Sequence, residues 1–409
     1  MAPAGSYESL QAGIQAGATS IYFGVEQLNM RARATNNFHL EDLPKIAAIC
    51  TKKQVKTYLT INTIIYDHDL TLMKNICNAA KKAGIDAVIV SDFAALQYAR
   101  QIKLPVHIST QMNISNLESV RFFAQYADVL VLARELTISQ IKDICTQIKE
   151  QHLTGPSGEL IKIEVFVHGA LCVAISGKCY MSLATYNASA NRGACLQNCR
   201  RSYKLTDDET GDELVIDNKY IMSPKDLCTI GFIDQLIEAG ISVMKIEGRG
   251  RAPEYVAVVT SVYKEAIDSY FEGRYTPEKI AAWTTRLETV YNRGFWQGGY
   301  YLGKKLGEWS AAYGSQATKE KRFLGQVKNY YPKAKIAHFK LESGEIKMGD
   351  EIIITGPTTG MFPMRVDELY VNEQRAIMAK KGDEITFPTA KRVRKKDKLF
   401  VVVDKKCLK

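Results

Sequence analysis

The chain has 409 residues, of which 46% are hydrophobic and 24% charged, and its formal net charge at pH 7 is +10. This composition is typical of a folded globular protein and excludes a disordered or fibrous chain. No run reaches the roughly 18 apolar residues of a membrane span, and the N-terminal MAPAGSYESL lacks the basic and apolar regions of a signal peptide, so we expect a cytoplasmic protein.

Short β-branched segments alternate with helical patterns over residues 1–273. Counting a short first strand at 1–2, buried strands are predicted at 20–24, 55–62, 87–92, 106–110, 129–135, 163–169 and 243–249. Helical spacing follows at 7–16, 40–53, 70–83, 94–102, 117–126 and 138–151, and after the last strand. Eight such units predict a (β/α)8 TIM-type barrel. An open doubly wound sheet would need a glycine-rich loop after its first strand, and APAGSYES is a poor match.

Active sites of such barrels lie at the carboxyl ends of the strands. These ends are polar in this chain, whereas the strand interiors are Val, Ile and Leu. Some of the polar residues have structural alternatives, since Ser91 and Asp92 also fit a helix N-cap and each arginine could pair with Glu135 or Glu247. The strand-end residues are Asn29, Arg31, Arg33, Asn62, Ser91, Asp92, Gln111, Asn113, Arg134, Glu135, His168, Cys172, Glu247 and Arg249.

An excursion of about 70 residues separates the seventh and eighth strands, far more than a βα loop requires. It contains five of the nine cysteines: Cys172, Cys179, Cys195, Cys199 and Cys228. Cys50, Cys77 and Cys145 fall on predicted helices and are interpreted as core residues, and Cys407 lies in the tail.

Clustered thiols in a reducing compartment favour metal binding or catalysis over disulfides. Four thiolates could hold zinc or an iron–sulfur cluster. A Cys–His nucleophile built from Cys172 and His168 is the main alternative. Ser223 and Pro224 resemble the start of a helix, which would place Cys228 near a helix N-terminus that favours a thiolate.

The chain changes character after the barrel. Residues 274–320 are predicted to be a helical and Gly/aromatic-rich connector, and residues 321–409 contain short strands with turn signals between them. This last segment has 20 Lys plus Arg against 11 Asp plus Glu, a charge of +9. It predicts a small all-β barrel that binds RNA, although a solvated basic surface would have the same composition.

Several long motifs resemble those of the collagenase-like peptidases, peptidase family U32. They are APAGSYESLQAGIQAGATSIYFG, ISTQMNISN, VLARELT, EVFVHGALCVAISGKCYMS, NRGACLQNCRRSYKL, SPKDLC and VMKIEGRGRAPEYVAVV. They cover roughly residues 1–300, and the resemblance is closest to prephenate-dependent tRNA hydroxylases that make 5-hydroxyuridine at the wobble position.

The resemblance implies a [4Fe–4S] cluster, prephenate as co-substrate and tRNA as partner. Through the HGALC, GKC and GAC motifs it implies Cys172, Cys179 and Cys195 as metal ligands, and SPKDLC makes Cys228 the expected fourth, with Cys199 spare or exchangeable. We predict His168, Glu135 and Arg134 as catalytic residues. Prephenate is a dicarboxylate, which arginines bind bidentately, so the predicted substrate-binding residues are Arg31, Arg33, Asn62, Gln111 and Arg249.

Two other functions remain open from the sequence. A collagenase-like peptidase would use the Cys172–His168 pair, although the chain has neither H-E-x-x-H nor G-x-S-x-G. A non-enzymatic RNA-binding protein with structural zinc would leave the polar strand ends unexplained.

Overall fold

The structure is a computed structural model that describes residues 1–33, 37–214, 220–296, 308–310 and 314–405. Its N-terminal region contains all eight strands predicted for the barrel. In chain order the strands of this region are β1 (Ala2–Pro3), β2 (Ser20–Phe23), β3 (Lys56–Ile61), β4 (Ala87–Val90), β5 (Val106–Ile108), β6 (Val129–Val131), β7 (Lys162–Gly169), β8 (Leu205–Thr206), β9 (Glu213–Leu214), β10 (Asp226–Cys228), β11 (Val243–Ile246) and β12 (Phe295–Trp296).

Helices occupy the predicted positions between these strands. They are α1 (Tyr7–Gln15), α2 (Leu43–Thr51), α3 (Leu70–Ala83), α4 (Phe93–Gln101), α5 (Leu117–Ala124), α6 (Ile138–Glu150), α7 (Met181–Tyr186), α8 (Ile233–Glu238), α9 (Pro253–Phe271) and α10 (Pro277–Glu288). Asp92, Asn116 and Thr137 are N-caps whose side chains accept backbone hydrogen bonds, so the structural alternative for Asp92 is confirmed.

The strands β1 to β7 pair in sequence order, all parallel, and β11 pairs parallel with β7. The Ile246 amide donates to the Met1 carbonyl oxygen at 3.1 Å, which brings β11 against the first strand. No ladder joins β1 and β11 among the described residues, so a closed barrel stays a prediction while the parallel α/β sheet is confirmed.

The strands and the inner faces of the helices share one apolar core. Cys50, Cys77 and Cys145 belong to it, as the sequence predicted. Because parallel strands end at the same edge of a sheet, the strand-end residues are gathered at one end of this core.

The excursion after β7 does not begin its second half with a helix. Residues Asp226–Cys228 form β10, which pairs antiparallel with the end of β7 and places Cys228 opposite His168. The predicted helix N-terminus at Ser223–Pro224 is therefore wrong. The proline starts an extended segment here, because the chain must run back along β7 before it reaches α8.

The C-terminal region is antiparallel and all-β, as predicted. Its strands are β13 (Lys319–Tyr331), β14 (Ile336–Leu341), β15 (Glu345–Lys347), β16 (Glu351–Gly356), β17 (Gly360–Arg365), β18 (Tyr370–Val371), β19 (Gln374–Arg375), β20 (Met378–Lys380), β21 (Glu384–Pro388) and β22 (Lys398–Asp404). The main sheet has the order β17-β16-β22-β13-β14-β21-β18-β19. Within the predicted connector, α10 is present, and residues 297–307 and 311–313 lie outside the described residues.

The all-β region has its own core and rests on the outer helices of the first region. Gln15 at the end of α1 donates from Nε2 to the Thr359 carbonyl oxygen at 2.9 Å, and Lys321 pairs with Glu254 of α9 at 2.7 Å. Within the described ranges, no helix has both the length and the apolarity needed to cross a bilayer.

Candidate active site

A cavity of about 450 Å³ opens at the carboxyl ends of the parallel strands. Nine of the twelve predicted site residues line it: Arg31, Arg33, Asn62, Gln111, Arg134, Arg249, Cys172, Cys179 and Cys195. His168, Glu135 and Cys228 do not. The strand-end argument therefore brings nine of its residues to one cavity, and two of the three exceptions, His168 and Cys228, lie opposite each other on β7 and β10.

Basic side chains dominate the cavity wall. Its charged lining residues comprise one carboxylate, Glu247, against Arg31, Arg33, Arg134, Arg200, Lys245, Arg249, Arg251 and Arg293. Three of these cations are neutralised: Arg31 pairs with Glu247 at 2.8 Å, Lys245 with Glu164 at 2.7 Å and Arg293 with Asp226 at 3.4 Å. The remaining positive charge predicts an anionic ligand.

Arg249 is a buried cation of the cavity wall. It is 7% exposed, and its Nη1 donates to Asn29 Oδ1 at 3.0 Å and to Thr60 Oγ1 at 2.7 Å. Burial lowers its pKa to about 10, so it is still charged at neutral pH. Gly24 makes room for it, because a Cβ at that position would lie 2.5 Å from Arg249 Nη1. A buried guanidinium held by neutral oxygens keeps its charge available to a ligand.

Glu247 is an ionised carboxylate that holds a neighbouring arginine in place. Burial opposes its ionisation, but Arg31, Arg134 and Arg249 outweigh that effect and lower its pKa to about 2. It is therefore a fixed carboxylate at neutral pH, and it orients the guanidinium of Arg31, whose pKa this contact raises. The sequence alternative in which an arginine pairs with Glu247 is confirmed for Arg31.

Neutral hydrogen-bonding groups also line the cavity, beside the cations. Asn62 Nδ2 donates to Ser109 Oγ and to Gln111 Oε1, both at 3.3 Å, and Asn62 Oδ1 accepts from the Met30 amide at 3.2 Å. Arg134 lies with its guanidinium 4.1 Å from the Phe166 ring centroid. Amide groups held in this way can present donors and acceptors to a planar polar ring.

Four thiols share one wall of the cavity: those of Cys172, Cys179, Cys195 and Cys199. Burial raises the pKa of the Cys199 thiol, the adjacent Arg200 opposes this, and the thiols of Cys172, Cys195 and Cys179 raise the pKa further. Arg200 is fixed by its bonds to Ser223 Oγ at 3.0 Å and to the Pro224 carbonyl oxygen at 2.6 Å.

The donors in this part of the cavity are all cysteine thiols. Among the described residues, no three or more His, Cys, Asp or Glu side chains are arranged to hold one metal ion. Four cysteine thiols around a common space, with arginines beside them, match the ligand chemistry of an iron–sulfur cluster, whose several irons bind thiolates spread more widely than one ion does. The arginines would also offset the negative charge of four thiolates.

Cys228 lies elsewhere. It is 8% exposed on β10, and burial raises the pKa of its thiol to about 11. The hydroxyl of Tyr263 lies 4.0 Å from its sulfur. The structure thus groups Cys199, which the sequence treated as spare, with the three expected ligands, and separates Cys228 from them.

His168 and Glu135 also fall outside the cavity. The pairing of β7 with β11 shifts register between Phe166 and His168, and this bulge turns His168 toward the helices. Its ring lies among those of Tyr255, Tyr263 and Phe295, with Nδ1 3.4 Å from the Tyr263 hydroxyl. Burial lowers its pKa to about 3. The geometry supports a structural role, and Glu135 is half-buried away from the cavity lining.

Buried His168 should make the stability of the protein depend on pH. Below about pH 6.5 the unfolded chain protonates this histidine, but the folded protein resists protonation until about pH 3. The free energy of unfolding therefore decreases as the pH falls from about 6.5 to about 3. We expect His168→Gln to flatten the pH dependence of the free energy of unfolding between these values, measured by urea denaturation. The exposed control His68→Gln should leave it unchanged, and a parallel response of both variants would contradict the assignment.

Sequence reasoning missed four cations of the cavity: Arg200, Lys245, Arg251 and Arg293. Arg251 and Lys245 flank the predicted Glu247 and Arg249, so the alternation of strand residues could have found them. Arg200 follows Cys199 directly, but Arg293 comes from the segment after α10, and no local pattern connects it to the strand ends.

The chain was compared with models of known protein families. A family model described as peptidase family U32 matches residues 5–311. The chain belongs to peptidase family U32. Its resemblance to that family, inferred from the motifs, is confirmed.

Relatives within the family have different names. A protein named "Collagenase" from Porphyromonas gingivalis is 54% identical over 400 residues, 98% of this chain and 96% of that protein. The "tRNA hydroxylation protein P1" of Bacillus subtilis is 30% identical over 385 residues, 90% of this chain and 86% of that protein. The "tRNA hydroxylation protein P" of Helicobacter pylori is 30% identical over 309 residues, 73% of this chain and 70% of that protein.

Proposed function

We propose that this U32 chain is a tRNA hydroxylase that forms 5-hydroxyuridine at the wobble position, with a [4Fe–4S] cluster and prephenate as co-substrate. The observation that carries the proposal is the meeting of four thiols and an excess of cations in one cavity at the strand ends. The names of the Bacillus and Helicobacter relatives support the choice of tRNA.

Cys172, Cys179, Cys195 and Cys199 would hold the cluster, which supplies one-electron chemistry when bound. The other residues of the cavity bind and orient. Arg249, charged and bonded only to neutral oxygens, would take one carboxylate of a dianionic co-substrate, and the arginine excess would take the second. Glu247, ionised at neutral pH, would hold Arg31 in position and would not donate a proton.

A uracil would enter the cavity only after it leaves the anticodon stack. Asn62 and Gln111 lie where they could hydrogen-bond the edge of a planar base, because the Ser109 hydroxyl and the Met30 amide already fix their side chains. Glu135 and His168 are not assigned a catalytic role in this proposal, since neither lines the cavity.

The test of this function is a gain of product in cells. The chain would be expressed in a bacterial host lacking its own wobble-uridine hydroxylases, and tRNA digests would be analysed by mass spectrometry. We expect 5-hydroxyuridine with the native chain and none with Cys199→Ala, and we expect the product to disappear in a host that cannot make prephenate. Absence of product from cells whose purified protein contains iron and sulfide would contradict the proposal, as would a colourless protein with bound zinc.

Peptide hydrolysis is the second candidate, favoured by the name of the Porphyromonas relative. A Cys–His peptidase needs its base within hydrogen-bond reach of the thiol. Here Cys172 lines the cavity, whereas His168 faces Tyr263 and is enclosed by aromatic rings. Cleavage of gelatin that is lost in both Cys172→Ala and His168→Gln would favour the peptidase.

The basic loop between β21 and β22 is the proposed contact for the tRNA backbone. It exposes the cations Lys391, Arg392, Arg394, Lys395, Lys396 and Lys398, and it is anchored by the buried Val393 and Asp397. The backbone amide of Arg394 donates to Asp397 Oδ2 at 2.8 Å, which orders the loop.

We expect Arg392→Gln/Lys395→Gln to weaken tRNA binding regardless of sequence and to reduce the slope of log K against log salt by up to about 0.9 for each phosphate that the loop no longer neutralises. Fluorescence anisotropy at several salt concentrations measures both effects. Lys52→Gln/Lys53→Gln removes two equally exposed cations after α2 and serves as the control. An unchanged slope in the loop variant would exclude the loop from the interface.

A further inference from the structure

Several exposed apolar and aromatic side chains lie next to cavity-lining residues along the chain. Tyr180 is 70% exposed, and Tyr66 and Tyr186 are 50% and 46% exposed. Tyr180 directly follows the lining residue Cys179, and Leu196, 37% exposed, directly follows Cys195. These side chains, with Ile175, form what we term the rim.

Cations lie against two of the rim tyrosines, Tyr66 and Tyr186. The Arg192 guanidinium lies 4.0 Å from the centroid of the Tyr66 ring, and the Arg201 guanidinium lies 5.0 Å from that of Tyr186. Arg192 also links the excursion to the segment that follows β3, because it pairs with Asp69 and donates to the Ile64 carbonyl oxygen at 3.2 Å. Such contacts hold the rings in place and leave about half of each tyrosine side chain exposed.

The charge of the first part of the excursion, residues 170–206, matches a polyanion. Residues 170–206 contain no aspartate or glutamate but five basic residues: Lys178, Arg192, Arg200, Arg201 and Lys204. Aromatic rings interleaved with cations are the recognition chemistry of single-stranded nucleic acid, in which bases stack on rings and phosphates contact the basic groups. Several exposed tyrosines around one opening also indicate a surface that a binding partner covers.

We propose that the rim, through Tyr66, Tyr180 and Tyr186, is a stacking platform for the RNA bases that flank the base inside the cavity. This inference rests on the proposed function and adds how the substrate is held. One base enters the cavity of about 450 Å³ together with a co-substrate, so its unstacked neighbours stay outside, at the mouth. Stacking tolerates any base, so the rim selects a single-stranded loop and not a sequence.

Tyrosine variants in the full-length protein, purified without oxygen, test this inference. We expect Tyr180→Ala and Tyr186→Ala each to weaken binding of a labelled anticodon-arm RNA by about 10-fold, with iron content unchanged. Tyr180→Phe should bind as the native protein does, since it keeps the ring. The control is Phe271→Ala, which removes an equally exposed ring, 72% exposed, at the far end of α9.

Crosslinking gives a second readout on the unaltered protein. RNA with 4-thiouridine one nucleotide on either side of the target is expected to crosslink to peptides containing Tyr66, Tyr180 or Tyr186. Native affinity in the alanine variants with iron retained, or crosslinks confined to residues 319–405, would overturn the rim proposal while 5-hydroxyuridine formation would still uphold the proposed function. Displacement of the RNA by polyglutamate, with the same dependence on the tyrosines, would instead assign the rim to an acidic polypeptide.

Discussion

Cys199→Ala protein purified without oxygen is expected to lose its iron and sulfide and the visible absorbance of an iron–sulfur cluster, and to form no 5-hydroxyuridine. Cys199 lines the cavity with Cys172, Cys179 and Cys195, and its pKa responds to all three. A cluster that is short of one thiolate ligand is bound poorly. We expect the same loss from Cys172→Ala, Cys179→Ala and Cys195→Ala.

Cys228→Ala is the matched control for these variants. Its thiol is buried on β10 near the Tyr263 hydroxyl and is not part of the cavity wall, so this variant should keep native iron content and product formation. Loss of iron from Cys228→Ala with retention in Cys199→Ala would restore the ligand set inferred from the SPKDLC motif and would require the end of β7 to rearrange when the cluster binds.

Lys245→Met is expected to lower the free energy of unfolding by about 3–5 kcal/mol, because it leaves the carboxylate of Glu164 buried without its partner. The Lys245 and Glu164 side chains are 5% and 0% exposed, and Nζ lies 2.7 Å from Oε1. The ammonium also lies 4.6 Å from the Tyr22 ring centroid. Urea denaturation followed by circular dichroism measures the decrease in stability.

Two further variants test whether the lost stability comes from the buried charge of Glu164. Lys264→Met breaks an exposed pair with Asp268 and should cost less than about 1 kcal/mol. The double variant Glu164→Met/Lys245→Met removes both charges and should recover most of the stability that the single variant lacks. A single-variant cost no greater than that of Lys264→Met would show that the pair is not isolated from solvent.

Much of the fold was predictable because its signals are local. A buried parallel strand is a short β-branched run and a helix repeats its apolar residues every three to four positions, so the eight strands and the helices between them could be read in order. The errors occur where tertiary pairing overrides a local signal. Pro224 follows a residue that fits an N-cap, yet Asp226–Cys228 pair with β7 as a strand.

The edge of the sheet at which the cavity lies was predictable for a geometric reason, but the full set of residues that line it was not. Parallel strands end at one edge, so Arg31, Asn62, Gln111 and Arg249 had to lie near one another. The sequence assigned His168 to the site because it lies at the end of a strand, but the bulge between Phe166 and His168 turns its ring away from the cavity. A one-residue irregularity moves a side chain from one face of a sheet to the other.

The sequence by itself determined the alternating α/β order, the all-β C-terminal region with its +9 charge, the family and the clustering of thiols after the seventh strand. Only the tertiary structure decided that Cys199 and not Cys228 shares a wall with the other thiols, and that Arg200 and Arg293 add their charge to the strand ends. The physical reason is that a residue's type and periodicity encode its local conformation, whereas its neighbours in space depend on the path of a long excursion that crosses the carboxyl ends of the strands.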